Sequence, residues 1–182
     1  MPASASEISI RLAKDGDAAE IASVHLNSWR ESYSGLLPDE FISELPSTFR
    51  RRMEHWARTI RNKPSGTEIW VAESKSAGIV GFASVVEARD EKFRDHGELA
   101  AIYLLKQFQH QGIGFALLSA AFEFLRSRGL KKAYCWVLKG NPTIKFYEKS
   151  GGRIGSETKT GKRPKLELHE VMCIWDGLAS GE

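Results

Sequence analysis

Six consecutive residues, Gln109-His110-Gln111-Gly112-Ile113-Gly114, have the types and spacing to hold a phosphate. They sit between two apolar runs. Leu99 to Leu105 reads as a buried strand, and Ile113 to Leu125 reads as a helix. Glycines at a strand-to-helix turn leave backbone N–H groups uncovered, and the start of a helix carries a partial positive charge. The turn therefore predicts a phosphorylated cofactor. A P-loop needs Gly-Lys-Ser/Thr after its glycines, but Gly114 is followed by Phe115. A dinucleotide turn wants a small residue where Leu117 stands and an acidic residue about 20 positions on. It also heads a repeated parallel strand-helix-strand pattern, whereas antiparallel runs precede this turn.

The elements that must position the turn are legible from periodicity. Ile8, Ile10 and Leu12 alternate with polar residues, as in a first strand. Asp15 or Asp17 then caps a helix carrying Ile21, Val24 and Trp29, broken at Gly35-Leu36-Leu37-Pro38. A short helix over Asp39 to Glu44 and another from Ser47 to about Ile60 follow. Glu68 to Ser74 and Ile79 to Ala88 form a hairpin about Lys75-Ser76-Ala77-Gly78, and Glu98 to Leu105 is the fourth strand. After the turn, the helix is apolar almost all round, through Phe115, Leu117, Leu118, Phe122 and Phe124, and stops at Gly129. Ala133 to Leu138 is a fifth strand. Asn141-Pro142 opens a helix that Gly151-Gly152 closes. Two last strands, about Arg153 to Thr158 and Lys165 to Trp175, flank the turn Thr160 to Pro164. The fold class is α+β: a single mixed, mostly antiparallel sheet of about seven strands with helices on both faces, an α/β sandwich.

Composition sets the outer limits. The 182 residues suit one domain, placed at 7–176, with tails at 1–6 and 177–182. The formal charge of +3 permits an anionic ligand but is too mild for a nucleic-acid binder. Met1 to Glu7 has neither the basic flank nor the apolar run of a signal peptide, and no apolar run reaches the roughly 18 residues of a membrane span. A cytoplasmic protein is expected. Cys135 and Cys173 lie in apolar strands and read as buried, reduced thiols; no metal spacing links them to the five histidines.

Two motifs, in order, resemble a known family. The strand Glu98 to Phe108 with the turn Gln109 to Gly114 is similar to the fourth strand and acetyl-CoA loop of the GNAT-superfamily N-acetyltransferases. Asn141-Pro142-Thr143-Ile144-Lys145-Phe146-Tyr147-Glu148-Lys149-Ser150-Gly151 is similar to that family's Asn…Phe-Tyr-Glu-Lys-x-Gly helix. The resemblance implies the acyl-CoA N-acyltransferase fold. Val24 to Pro38 also resembles one bacterial branch of the family, which does not fix a substrate. Two positions depart from the pattern: Lys106 stands where proline is frequent, and Gly152 stands where phenylalanine is usual.

The implied reaction moves acetyl from acetyl-CoA directly to a primary amine of a small molecule or of a protein, with no metal. It must deprotonate an ammonium (pKa of about 10.4), stabilise charge on the acetyl oxygen and protonate the leaving thiolate. By resemblance, Gln109, Gln111, Gly112, Ile113 and Gly114 grip the pyrophosphate. Ile102 and Leu104 pair with the pantetheine arm, and the Leu104 N–H faces the acetyl oxygen. Asn141 binds the arm, and Tyr147 is the acid. Glu98 is the expected base, with Glu68, Glu73 and His96 as competitors. Trp29 and Tyr33 are expected on the acceptor wall, and Lys145 is a candidate for a coenzyme phosphate. Lys159, Lys162, Arg163 and Lys165 make a basic hairpin that reads first as solvated and second as a site for an acidic acceptor. The resemblance leaves two further options open. One is a homodimer through the last strands; the other is a catalytically silent acetyl-CoA sensor or interaction module.

Overall fold

In the computed structural model, which describes residues 7–163 and 166–178, seven strands form one open sheet in the order β1-β2-β3-β4-β5-β7-β6. The strands are β1 Ile8–Leu12, β2 Glu68–Ser74, β3 Gly78–Glu87, β4 His96–Leu104, β5 Lys132–Leu138, β6 Arg153–Arg163 and β7 Leu166–Trp175. The helices are α1 Ala18–Tyr33, α2 Asp39–Glu44, α3 Phe49–Arg61, α4 Ile113–Ser127 and α5 Ile144–Lys149. Only β4 and β5 pair in parallel, because α4 crosses between them; every other neighbouring pair is antiparallel.

Alternation along the strands splits the core into two layers. Leu117, Leu118, Ala121, Phe122 and Leu125 of α4 pack on Ala72, Val80, Ala83, Val85 and Leu99. On the opposite face, Ile21, Ala22 and Val24 of α1 and Trp56 and Ile60 of α3 cover Ile69, Val71 and Phe82. The two cysteines are register partners across β5 and β7, both buried and both free.

Three local expectations change. Asp17 stands at the cap position of α1, but its carboxylate turns back, accepting from the Lys14 N–H at 2.9 Å and from Arg11 Nη1 at 2.6 Å. The ion pair wins over the cap because Arg11 is also held by Glu73, which fixes the guanidinium beside Asp17. On α4, Phe115 is 46% exposed and meets the Phe146 ring at a tilt, 5.0 Å between centroids, instead of entering the core. Finally, Thr160 to Arg163 belong to β6 and not to a turn, and Pro164 and Lys165 of the expected turn and last strand lie outside the described residues. The tail at 1–6 and most of that at 177–182 also lie outside them. Leu178 is buried, and its N–H donates to the Lys131 carbonyl.

Candidate active site

The site begins as a failure of strand pairing. β4 and β5 are joined only where His96–Glu98 faces Lys132–Tyr134, and beyond Glu98 they separate. On its other edge β4 stays paired with β3 from Gly97 to Leu104. That ladder contains a bulge: Val85 faces Leu99 and Ser84 faces Ala101, so Ala100 has no partner. A bulge bends its strand, here at the point where β4 leaves β5. The Leu105 N–H donates to the Val80 carbonyl at 3.0 Å. Backbone groups alternate sides along a strand, so the N–H groups of Ile102 and Leu104 point away from β3, into the gap. A cavity of about 850 Å³ fills this gap, walled by Ala100, Ile102 and Leu104 on one side and Cys135, Trp136 and Val137 on the other.

The glycine turn closes one end of the cavity. His110 and Gly112 both have positive φ, 62° and 81°. The first bond of α4 runs from the Ala116 N–H to the Gly112 carbonyl, so the N–H groups ahead of it lie before the helical ladder begins. Such a turn is a concave donor surface for an anion. Gly112 needs its φ, which a β-carbon would strain. Gln109, His110, Gly112 and Gly114 border the cavity, and Gln109 Nε2 braces the turn through the Leu104 carbonyl at 3.1 Å. The side chains of Gln111 and Ile113 do not border it: Gln111 Nε2 bonds the Gln107 carbonyl and Ile113 is core, which leaves these two residues only their backbone. Lys106, Lys145 and Lys149 also border the cavity. A donor cradle, basic side chains and an open strand edge in one cavity suit a coenzyme with phosphates and an amide-bearing arm.

Tyr147 borders the cavity from α5, buried between Phe146 and Trp175. Burial pushes its phenol well above the ordinary range, so it keeps its proton and can donate it. Asn141 is buried at the cavity wall, and its Oδ1 accepts from the Thr143 N–H at 2.9 Å, starting the turn that becomes α5. Tyr33 borders the cavity from the end of α1. Trp29 does not: its Nε1 donates to the Tyr103 hydroxyl at 2.9 Å, and its ring meets Tyr33 edge-on at 4.7 Å. Trp29 thus supports the wall from behind.

The carboxylates sort differently from expectation. Glu98 sits at the vertex where β4 and β5 part, but it is buried and does not border the cavity. Arg89 grips both of its oxygens, with Nε to Oε2 at 2.9 Å, and the Tyr134 hydroxyl donates to Oε2 at 2.9 Å. Burial alone would raise its pKa. The guanidinium and the phenol outweigh burial and hold the carboxyl below its usual range. The competitors are also engaged elsewhere: Glu68 with Lys63, Glu73 with Arg11, and His96 with Asp95.

The two departures from the family pattern acquire reasons. The Lys106 N–H donates to Glu31 Oε2 of α1 at 2.9 Å, a bond that proline cannot make. At Gly152 a β-carbon would lie 2.8 Å from Cys173 Sγ and 2.9 Å from both Trp175 and the Tyr147 carbonyl. The aromatic bulk at this place comes from Trp175, whose Nε1 donates to Ser150 Oγ. Sequence reasoning missed Ser28, Glu31, Tyr103, Phe115 and Trp136, all of which border the cavity. Their spacing is that of ordinary core or surface positions and carried no signal. Ser28 Oγ, on α1, is buried with no hydrogen-bond partner among the described residues.

Comparisons with known proteins agree with this geometry. A family model described as "Acetyltransferase (GNAT) family" matches residues 26–152. The chain is 35% identical, over 175 residues and 95% of each protein, to an uncharacterized N-acetyltransferase, YuaI, of Bacillus subtilis. It is 21% identical to the spermidine N(1)-acetyltransferase of Thermoplasma acidophilum, over 81% of this chain and 89% of that protein. Among solved structures, the PaiA N-acetyltransferase of Thermoplasma acidophilum, in complex with coenzyme A, superimposes with a TM-score of 0.70 at 21% identity, over 92% of this chain and 98% of that one. YncA of Salmonella typhimurium, solved with its cofactor acetyl-CoA, gives 0.66 at 20% identity, over 96% of both.

Proposed function

Because the chain belongs to the acetyltransferase (GNAT) family, we propose that it carries acetyl from acetyl-CoA directly to a primary amine, with residues 7–176 acting as one catalytic domain. The observation that carries this reading is the convergence of three features on one cavity: the donor cradle at 109–114, the open edge of β4 and the protonated Tyr147. In this reading the cradle's N–H groups hold the pyrophosphate, with Lys145 beside it. The pantetheine arm lies along Ile102 and Leu104 as an added strand, within reach of Asn141. The Leu104 N–H faces the acetyl oxygen, and Tyr147 protonates the departing thiolate. Tyr33, backed by Trp29, forms the acceptor wall.

Glu98, the carboxylate at the vertex, is buried and does not border the cavity, so as the base it takes the amine proton only through intervening water. Its pairing with Arg89 keeps it ionised but makes it a weak base, so its share of catalysis is small. Glu98→Gln is expected to slow turnover by about tenfold, below the usual range for a well-placed base. It should also move the acidic limb of the pH–rate profile; an acidic limb identical to the parent's clears Glu98 of the role. The reading as a whole is tested by following thiol release from acetyl-CoA against panels of small amines and peptides. Tight acetyl-CoA binding with no thiol release for any acceptor would leave a silent binding module.

A further inference from the structure

A lysine of the chain itself lies over the aromatic ring of a residue that borders the cavity. Lys159 Nζ lies over the ring of Trp136, 4.5 Å from its centroid, and 3.4 Å from Glu170 Oε2. Trp136 borders the cavity in which Tyr147 lies. The surrounding sheet face is covered on two sides. Tyr33 and Leu37 cover Leu168, with Leu138 and Leu166 packed beside them, while Phe93 and Ala88 pack with Tyr134, Met172 and Ile174. Trp136 and Glu170 lie between these covers. The Tyr33 and Tyr103 phenols, which border the cavity, are raised mainly by burial, with a smaller contribution from the Glu170 charge.

Resting on the acetyl-transfer reading above, we propose that the Trp136 face and the Glu170 carboxylate form a binding site for an acceptor's ammonium group, held in the free protein by Lys159. The chemistry matches group for group. An aromatic face and a carboxylate are what an alkylammonium binds, and Lys159 presents one. Lys159 stands on the edge strand β6 with its side chain 42% exposed, on a flexible stem, so it can leave the site without disturbing the core. An amine acceptor arrives as the same charged group. This differs from the second reading of the basic hairpin, a site for an acidic acceptor: the Lys159 charge is already matched by Glu170, and its removal exposes a negative site.

The test separates this site from a plain strand-to-strand ion pair by the sign of the effect. Acetyl-CoA affinity is measured first by calorimetry; no binding there would undo the acetyl-transfer reading rather than this site. Pentane-1,5-diamine and a lysine-containing peptide are then titrated into coenzyme A-saturated protein, which distinguishes a small-molecule source of the ammonium from a protein source. Lys159→Met, and Lys159→Gln as a second form, should bind one of these probes about threefold or more tighter than the parent, because a competing cation is gone. Adding Glu170→Gln should weaken that binding by about tenfold. Lys162→Met, on the same strand, should change nothing, and acetyl-CoA affinity should stay constant throughout. If both Lys159 variants bind both probes no more tightly than the parent, or if Glu170→Gln has no effect, Lys159 and Glu170 are only a cross-strand pair and the proposal is wrong.

Discussion

Along β3 the strand β4 is paired from Gly97 to Leu104, while along β5 its pairing ends at Glu98. The closed edge is flanked by apolar layers on both faces, with α4 on one and α1 and α3 on the other. The open edge is walled by aromatic rings, buried polar groups and charged side chains. One strand thus does two things. Its closed edge is paired within the sheet, and its open edge leaves backbone groups facing the cavity. The bulge at Ala100 couples the two, since a residue without a partner on the closed edge is what bends β4 away from β5. Substitutions at the open edge should therefore change chemistry or binding and spare stability, and substitutions behind it should do the reverse.

The sharpest separation is expected at Tyr147. Tyr147→Phe keeps the ring between Phe146 and Trp175 but removes the proton donor. Turnover should fall by about a hundredfold, the scale of a positioned acid, with acetyl-CoA affinity unchanged by calorimetry. Unchanged turnover with chemistry rate-limiting would remove Tyr147 from the acid role. Next is Gly152, behind the gap. Gly152→Ala presses a β-carbon on Cys173, Trp175 and the Tyr147 carbonyl and should cost about 1–3 kcal/mol in denaturant unfolding. Acetyl-CoA affinity should hold; if affinity falls with stability, the division between the two edges is not real.

Gly112→Ala makes the opposite test. Space around its β-carbon is open, so only the φ of 81° is strained, by about 1–2 kcal/mol. Acetyl-CoA should bind about tenfold more weakly while the unfolding midpoint moves little, provided the turn relaxes in the free protein. A large loss of stability with normal affinity would make the turn structural.

The smallest effect at neutral pH lies deep on the closed side. His25 is packed among Trp29, Trp56, Phe82 and Tyr103, with Arg52 Nη1 2.7 Å from its Nε2. Burial, then the Arg52 charge, lower its pKa from 6.5 to about 3. Between these values the unfolded chain binds a proton that the folded chain does not. Stability contributed by the neutral ring is therefore complete above about pH 6.5 and lost as pH falls toward 3. His25→Gln should lose less stability than the parent between pH 7.5 and 4.5, read from urea midpoints. Equal losses would mean that another group drives acid unfolding.

Much of this was legible in the residues. β2 falls at Glu68–Ser74 and α2 at Asp39–Glu44, as periodicity and breakers indicate, because those signals are local. The glycine turn was legible in residue types and spacing, while Tyr147 was singled out by the resemblance of its helix to the family's motif. The contact between Trp136 and Lys159 was not legible. Trp136 reads as a core residue of a strand, and Lys159 as a solvated hairpin cation. They meet only because β7 lies between β5 and β6 in the sheet. Glu98 was singled out by the family resemblance at the start of the fourth strand, but its engagement by Arg89 depends on the loop after β3 folding back over the vertex.

By itself, the sequence determined the order of elements, the helices on both faces of the sheet and a glycine turn between strand and helix, since backbone propensity, apolar period and glycine geometry act within a few residues. Only the tertiary structure decided where β4 and β5 part, which carboxylate is locked away and which lysine lies over Trp136. Those outcomes depend on contacts between residues distant in the chain, whose competition for partners no local pattern encodes.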